Sequence, residues 1–260
     1  AGQCVAVGYQ ALSANTSGGE NTACGRAALA ANTTGNDNTA VGANALDANT
    51  TGTENTAMGG SALASNTTGV RNVALGYQAL LDNISAEKNT AIGSFALENC
   101  TGDDNTALGY AAGFEISSGT NNTVLGIGAG RHGSPSGNIT TASNQVCIGD
   151  NNVTNTFIKV AFTVTSDERD KIEDGVVSHG LSFVNQLKPK SFWFRKNRES
   201  DEKTGDKRYG FYAQDILALE GSDSVVIDNK DSDNLKFKGD QLIPILVNAI
   251  KELSAKVTAL

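Results

Sequence analysis

No apolar run of about 18 residues occurs in the 260-residue chain, so no membrane-spanning helix is predicted. A basic excess is missing as well. Residues 1–165 hold 5 basic and 11 acidic residues, residues 166–260 hold 15 and 17, and the net charge is −8. Neither half carries the positive surface that phosphate-backbone binding needs, so no nucleic-acid partner is predicted. Cysteine is sparse and irregular: Cys4, Cys24, Cys100 and Cys147 form no CxxC pair. They read as packed or free thiols, with no disulfide framework and no metal site. The glycine cluster Gly126-Ile127-Gly128-Ala129-Gly130 lacks the following Lys-Ser/Thr and the βαβ context of a phosphate loop. No cofactor is predicted. Paired carboxylates and a Ser-His-Asp constellation are also absent outside one short segment, which weighs against a hydrolase acting on other molecules. There is no starting Met and no signal peptide, and Ala1 already lies inside a repeat, so a longer parent chain is expected.

What is present, up to residue 149, is repetition. Gly8, Gly25, Gly42, Gly59, Gly76, Gly93, Gly109, Gly126 and Gly149 each close a short apolar phrase, at steps of 17, 17, 17, 17, 17, 16, 17 and 23. The unit reads Asn-Thr-Ala-x-Gly-x-x-Ala-Leu-x-x-Asn-Thr-Thr-Gly-x-x. A fixed period marks a stacked array. Thr-Ala-x-Gly alternates as a short strand does, and the glycine permits a sharp turn or close approach. The Ala-Leu pair, as in Ala45-Leu46 and Ala62-Leu63, supplies one aliphatic plug per coil. Asn-Thr-Thr-Gly is turn chemistry. The period also accounts for the Asn-x-Thr/Ser triplets at Asn15, Asn32, Asn49, Asn66, Asn83 and Asn99 as turns rather than glycosylation sites.

Seventeen residues cannot enclose a core alone, whereas stacked coils cover one another. A helical repeat would need about 33 residues. The reading is therefore a parallel β-roll over 1–149, with thin coils that gain burial by associating as an intertwined or side-by-side homotrimer. The long last step comes from a polar loop, Gly130 to Gln145, containing His132; it reads as a receptor contact or as decoration of the final coil. This stretch resembles the β-roll heads of trimeric autotransporter adhesins, which carry a Ser/Thr-x-Ala-Ile-Gly phrase in each coil. The resemblance implies three chains and a surface-exposed, adhesive role.

Residues 150–165 form a neck. Phe157, Val160, Phe162 and Val164 are apolar among β-branched neighbours, predicting one or two strands that close the roll. Residues 166–260 are ordinary α+β sequence. Val177, Leu181, Val184 and Leu187 predict a helix ended by Pro189. Ser191 to Arg195 is a strand, Asn197 to Arg208 a charged hairpin loop around Thr204-Gly205, Tyr209 to Ala213 the return strand, and Gln214 to Leu219 a short helix. Val225 to Ile227 and Leu235 to Phe237 predict a second hairpin. A closing helix starts at an Asp240 N-cap with Pro244 in its first turn. Its residues Ile243, Leu246, Ile250, Leu253, Val257 and Leu260 are spaced as a coiled-coil seam. That spacing fits self-association, and it also fits a helix packed on its own domain.

The seam between the two compositions reads Thr165-Ser166-Asp167-Glu168-Arg169-Asp170-Lys171. A serine with a nearby lysine fits an exposed polar turn. At a compositional boundary it reads as a place where the chain cuts itself, between Thr165 and Ser166. The segment is similar to the Ser-Asp-x-Arg-x-Lys signature of the intramolecular chaperone, or autoprocessing serine peptidase, of endosialidase-type phage tailspikes and tail fibres. Leu187-Lys188-Pro189, Phe192-Trp193-Phe194, Gly210-Phe211-Tyr212-Ala213-Gln214 and Asp240-Gln241-Leu242-Ile243-Pro244 follow in that family's order. The resemblance covers 166–260. It implies that three such domains bring three chains together, that Ser166 is the nucleophile and Lys171 its base, and that the released piece starts at Ser166. Asp167 and Arg169 are candidate supporting residues, and Gln214 is a candidate oxyanion donor. The expected protein is the C-terminal part of a virion tail fibre, spike or appendage that meets a host-surface receptor or glycan. The alternative is a cell-surface trimeric adhesin with the same autoprocessing tail.

Overall fold

The computed structural model describes residues 2–131, 134, 137–150, 152–153, 157, 168–173, 175–195, 200–222, 224–229, 232 and 235–259. The chain splits into two compact units, Ala1–Val153 and Thr154–Leu260.

The first unit is a parallel β-solenoid. Nine three-residue strands form one sheet in sequence order: β1 (Val5–Val7), β2 (Thr22–Cys24), β3 (Thr39–Val41), β4 (Thr56–Met58), β5 (Val73–Leu75), β6 (Thr90–Ile92), β7 (Thr106–Leu108), β8 (Thr123–Leu125) and β9 (Val146–Ile148). Equivalent repeat positions pair: Thr39 with Thr56, Ala40 with Ala57, Val41 with Met58. Alternation along a strand sends the middle residue inward, and Ala23, Ala40, Ala57, Ala74, Ala91 and Ala107 are fully buried. After each strand the glycine turns the chain at positive φ. Gly42 stands at φ +138°, and a Cβ there would lie 2.5 Å from the Gly59 carbonyl oxygen, so no other residue fits.

The predicted plug is real, and its backbone is unusual. Leu29, Leu46, Leu63, Leu80 and Leu97 are fully buried, yet each holds a left-handed φ of 49–52°. That conformation costs an L-residue about 1–2 kcal/mol, whereas burying a leucine side chain contributes about 1.5–3 kcal/mol. The same turn lets the Leu46 N–H donate to the Ala62 carbonyl of the next coil at 3.0 Å. Burial and inter-coil bonding together outweigh the strain.

Two columns of asparagine share this interior. The Asn that opens each Thr-Ala phrase is buried, from Asn21 and Asn38 to Asn105 and Asn122. Its side-chain carbonyl accepts the backbone N–H of its counterpart one coil on, as Asn38 does from Asn55 at 3.1 Å. Its amide donates across the coil, as Asn55 does to the Gly69 carbonyl at 2.8 Å. The second column is the first Asn of Asn-Thr-Thr-Gly. Asn49 donates to Asn32 and Asn66 donates to Asn49, both at 2.9 Å. Asn32, Asn49, Asn66 and Asn83 are fully buried, which is where a glycosylated asparagine cannot be. At these four positions the triplets are thus turns, as expected, and also part of the core. After Asn83 the column turns apolar, through Cys100, Ile116 and Ile139.

The second unit is a small α+β arrangement: α1 (Leu181–Val184), β10 (Lys190–Arg195), β11 (Lys203–Gly210), α2 (Ala213–Glu220), β12 (Ile227–Asp228), β13 (Lys236–Phe237) and α3 (Leu242–Thr258). Phe183, Ile216, Val226, Ile227, Leu242 and Ile245 form its core. Three expectations need correction. The helix through Val177 is only one turn, beginning after Gly180, and Val177 is exposed. The return strand begins at Lys203, so Thr204-Gly205 lies within β11, and the chain leaves the sheet before Phe211. Phe192 pairs with Arg208 and Phe194 with Thr204, so the ladder bulges, with Gly205 at φ +66°. Charged residues enter this strand because Lys203 and Lys207 sit 4.2 and 5.5 Å from the Trp193 ring centroid. Finally, Asp240 is not the N-cap. It lies in a 3₁₀ turn, Gly239–Gln241, that runs into α3 and puts Gln241 at the cap; Pro244 is in the first turn, as expected.

Candidate functional site

Of the predicted cleavage segment, Glu168–Asp170 forms a single 3₁₀ turn, and the Lys171 N–H donates to the Glu168 carbonyl at 3.1 Å. This turn places Arg169 and Lys171 close in sequence, both exposed. Thr165, Ser166 and Asp167 lie outside the described residues, as do Val160, Phe162 and Val164 of the expected neck strands. Phe157 is described and exposed. Gln214 stands on the first turn of α2 and is exposed. The described residues thus leave the pairing of nucleophile and base as an expectation.

The seam helix is better defined. α3 is amphipathic on two sides. Leu242, Ile245 and Ala249 are buried, the first two within the core of the unit. Ile243, Leu246, Ile250, Leu253 and Val257, the predicted seam, face outward, with Ile250 66% and Ile243 60% exposed. The seam residues thus lie on the face of the helix that its own unit leaves uncovered, while other residues of the same helix pack inward. An outward column of five aliphatic side chains is an apolar surface that water does not stabilise.

Polar side chains that sequence reasoning passed over fix the orientation of this helix. Asn248 donates to the His179 carbonyl at 2.9 Å, and Glu252 accepts from the Leu181 N–H at 2.9 Å. The second contact needs Gly180, where a Cβ would lie 1.9 Å from Glu252 Oε1. On α2 the buried Glu220 carboxylate accepts from the backbone N–H groups of Val225, Val226 and Ile227, tying the helix end to β12. The signal available for these residues was position: Asn248 and Glu252 are polar residues at the border of the apolar stripe, and Glu220 is the last residue before a glycine.

Among the described residues no cluster of His, Cys, Asp and Glu is arranged to hold a metal ion, and no helix is long and apolar enough to cross a membrane. All four cysteines are free thiols; Cys4 and Cys24 are exposed, Cys100 and Cys147 buried.

Comparison with curated proteins and with solved structures returns no match. Residues 166–225, which start at the predicted cut and run through α1, the β10–β11 hairpin and α2, match the family model described as chaperone of endosialidase.

Proposed function

We propose that residues 166–260 are an intramolecular chaperone that gathers three copies of the chain through the outward face of α3, aligns their β-solenoids, and is then released by self-cleavage. The observation that carries this reading is the exposed aliphatic column Ile243–Val257 on a helix whose other face is already used by its own core. It stands beside a segment similar to a chaperone family. A solenoid built from long-range parallel pairing folds slowly and is prone to register errors. A C-terminal nucleus that raises the local concentration of chains favours correct alignment. Its removal afterwards leaves a product held by a kinetic barrier.

In the cleavage step the Ser166 hydroxyl oxygen attacks the Thr165 carbonyl carbon. The C–O bond forms as the C–N bond breaks, and the hydroxyl proton passes by way of Lys171 to the departing amine. Water then hydrolyses the ester, giving a Thr165 carboxylate and restoring the Ser166 hydroxyl. Intact-mass measurement of the expressed chain tests the step. The expected products end at Thr165 and begin at Ser166, and both Ser166→Ala and Lys171→Ala should leave only full-length chain. Processing at the normal rate in Lys171→Ala would remove lysine from the role of base.

The wider setting is a tail-fibre or spike type of protein on a virion, whose solenoid meets a host-surface receptor or glycan. The similarity of the C-terminal segment supports it. Binding of the purified trimer to host cells, lost on removal of surface glycan or receptor, tests it.

A further inference from the structure

The second asparagine column has to end where the interior turns apolar. Up to Asn66 its members are linked one to the next: Asn32, Asn49 and Asn66 each donate to the asparagine one coil back. Asn66 Nδ2 also donates to the Gly69 carbonyl at 3.2 Å. In the first column, Asn72 Nδ2 donates to Asn55 Oδ1 at 3.2 Å and to the Ala86 carbonyl at 2.8 Å. One coil on, both patterns stop. Asn66 Oδ1, Asn83 Oδ1, Asn83 Nδ2 and Asn89 Nδ2 have no hydrogen-bond partner among the described residues, and all three side chains are fully buried.

Two departures from the repeat account for the break. Ala86 stands where the coils before it have Gly18, Gly35, Gly52 and Gly69. A Cβ at Gly69 would collide with Asn66 Oδ1 and stand 3.2 Å from Asn72 Nδ2. Ala86 puts a methyl at the equivalent point of its own coil, between Asn83 and Asn89, so the Asn83 amide cannot take the seat that Asn66 takes. Cys100 is the second departure. It carries a single sulfur where the column has an amide, which withdraws a donor from Asn83 Oδ1 and takes up less room. The Gly102 carbonyl, counterpart of the Ala86 carbonyl one coil on, already accepts from Asn105 Nδ2 at 3.2 Å and from the Cys100 thiol at 3.5 Å.

The chemistry of the four atoms selects what can join them. They are two carbonyl oxygens and two amide nitrogens, and turning the Asn83 amide over leaves that balance unchanged. A cation would face the two N–H groups, an anion would face the two oxygens, and an apolar group would leave all four unpaired. A neutral molecule that gives two protons and takes two fits. The surrounding core is alanine and leucine in thin coils, which admits only the smallest such molecule. Buried polar groups in folded proteins are almost always bonded to protein or to ordered water, and a buried water makes about three such bonds.

We infer that the joint around Asn66, Asn83 and Asn89 binds one water molecule, which donates to Asn66 Oδ1 and Asn83 Oδ1 and accepts from Asn83 Nδ2 and Asn89 Nδ2. This water is the cap of the asparagine ladder. It closes the polar column at the point where Cys100, Ile116 and Ile139 continue it as an apolar one. The inference is independent of how the chain assembles and of whether it is cut.

A crystal structure of the full chain carrying Ser166→Ala, refined where ordered water is visible, tests it. The expected result is one well-occupied internal water about 2.7–3.2 Å from these side-chain atoms. In the same chain with Ala86→Gly and Cys100→Asn added, the regular ladder should return: Asn83 donates directly to Asn66, as Asn66 does to Asn49, and the water is lost. A direct Asn83–Asn66 bond with no water in the parent overturns the inference, and so does a water that persists beside the rebuilt ladder. The parent structure decides the matter alone should the double variant fail to fold.

Discussion

The side-chain carbonyl of Asn38 accepts two hydrogen bonds from Asn55, one from its backbone N–H and one from its side-chain amide, both at 3.1 Å. The same arrangement links Asn21 to Asn38 and Asn55 to Asn72. Each asparagine thus serves as the edge partner of the coil above while its amide ties its own coil to the turn carbonyl beyond.

Asn55→Ala should therefore be costly although it removes few atoms. It leaves the buried Asn72 N–H without its acceptor, while the Gly69 carbonyl keeps the Asn66 amide at 3.2 Å. An orphaned buried polar group costs about 1–3 kcal/mol, so a loss of that size is expected from chemical denaturation of the solenoid. Asn55→Asp should be at least as damaging, because it keeps the acceptor but buries a charge with no cation beside it.

Cys100 makes the solenoid sensitive to alkali. Burial pushes its thiol up to about 11 from an ordinary 9.0, against the smaller opposing effect of hydrogen bonds with Gly102 and Asn105. A folded-state value above the unfolded one means that the contribution is whole below about pH 9 and is lost as pH rises through about 11. Melting temperatures of the parent and of Cys100→Ala, compared from pH 8 to 11, should converge at the alkaline end.

The same position offers a repair. Asn83 Oδ1 and Nδ2 find no hydrogen-bond partner among the described residues, at the point where the column passes to Cys100. Cys100→Asn would restore the donor that Asn66 supplies to Asn49. A gain of about 1 kcal/mol is expected at pH 7, read as a higher denaturation midpoint.

In the second unit, Glu220→Gln should loosen the α2–β12 junction. Three backbone N–H groups converge on the carboxylate, and an amide offers one acceptor oxygen in place of two. The expected cost is about 1–3 kcal/mol, seen as faster amide hydrogen exchange at Val225, Val226 and Ile227. Glu220→Asp, a shorter carboxylate, should recover part of the protection.

The paired change Ile243→Glu and Ile250→Glu should uncouple assembly from folding. Both side chains point away from the core that holds Leu242 and Ile245. Helix content by circular dichroism should be kept while light scattering falls from three chains to one. Retention of the trimer would dismiss this face as the contact.

The sequence made some of this legible and hid the rest for identifiable reasons. A strict period and the Thr-Ala-x-Gly alternation were enough to foresee a parallel β-solenoid, because stacking equivalent residues is the only way such short coils bury alanine and leucine. The role of Asn21 and its counterparts was not foreseen. Asparagine reads as turn chemistry locally, and its use as a buried rung appears only when coils stack. The left-handed Leu46 was likewise invisible, since local preference opposes it and only its burial overrules that preference. In the second unit α3 was foreseen, and its seam residues lie on the face that its own core does not use. The β10–β11 boundary was misplaced because Lys203 and Lys207 read as loop charges until Trp193 is beneath them. The cleavage pair rests on family similarity, since the turn before Lys171 shows no feature that would single it out.

The glycine turn carries a consequence for how such a molecule can change over generations. Gly42 meets Gly59, and Gly59 meets Gly76, through the same backbone contact. Each coil presents to the next the same surface that the coil before presents to it, so gain or loss of a whole unit leaves every remaining joint intact. Length is thus the property this scaffold can vary most freely, in steps of one complete turn.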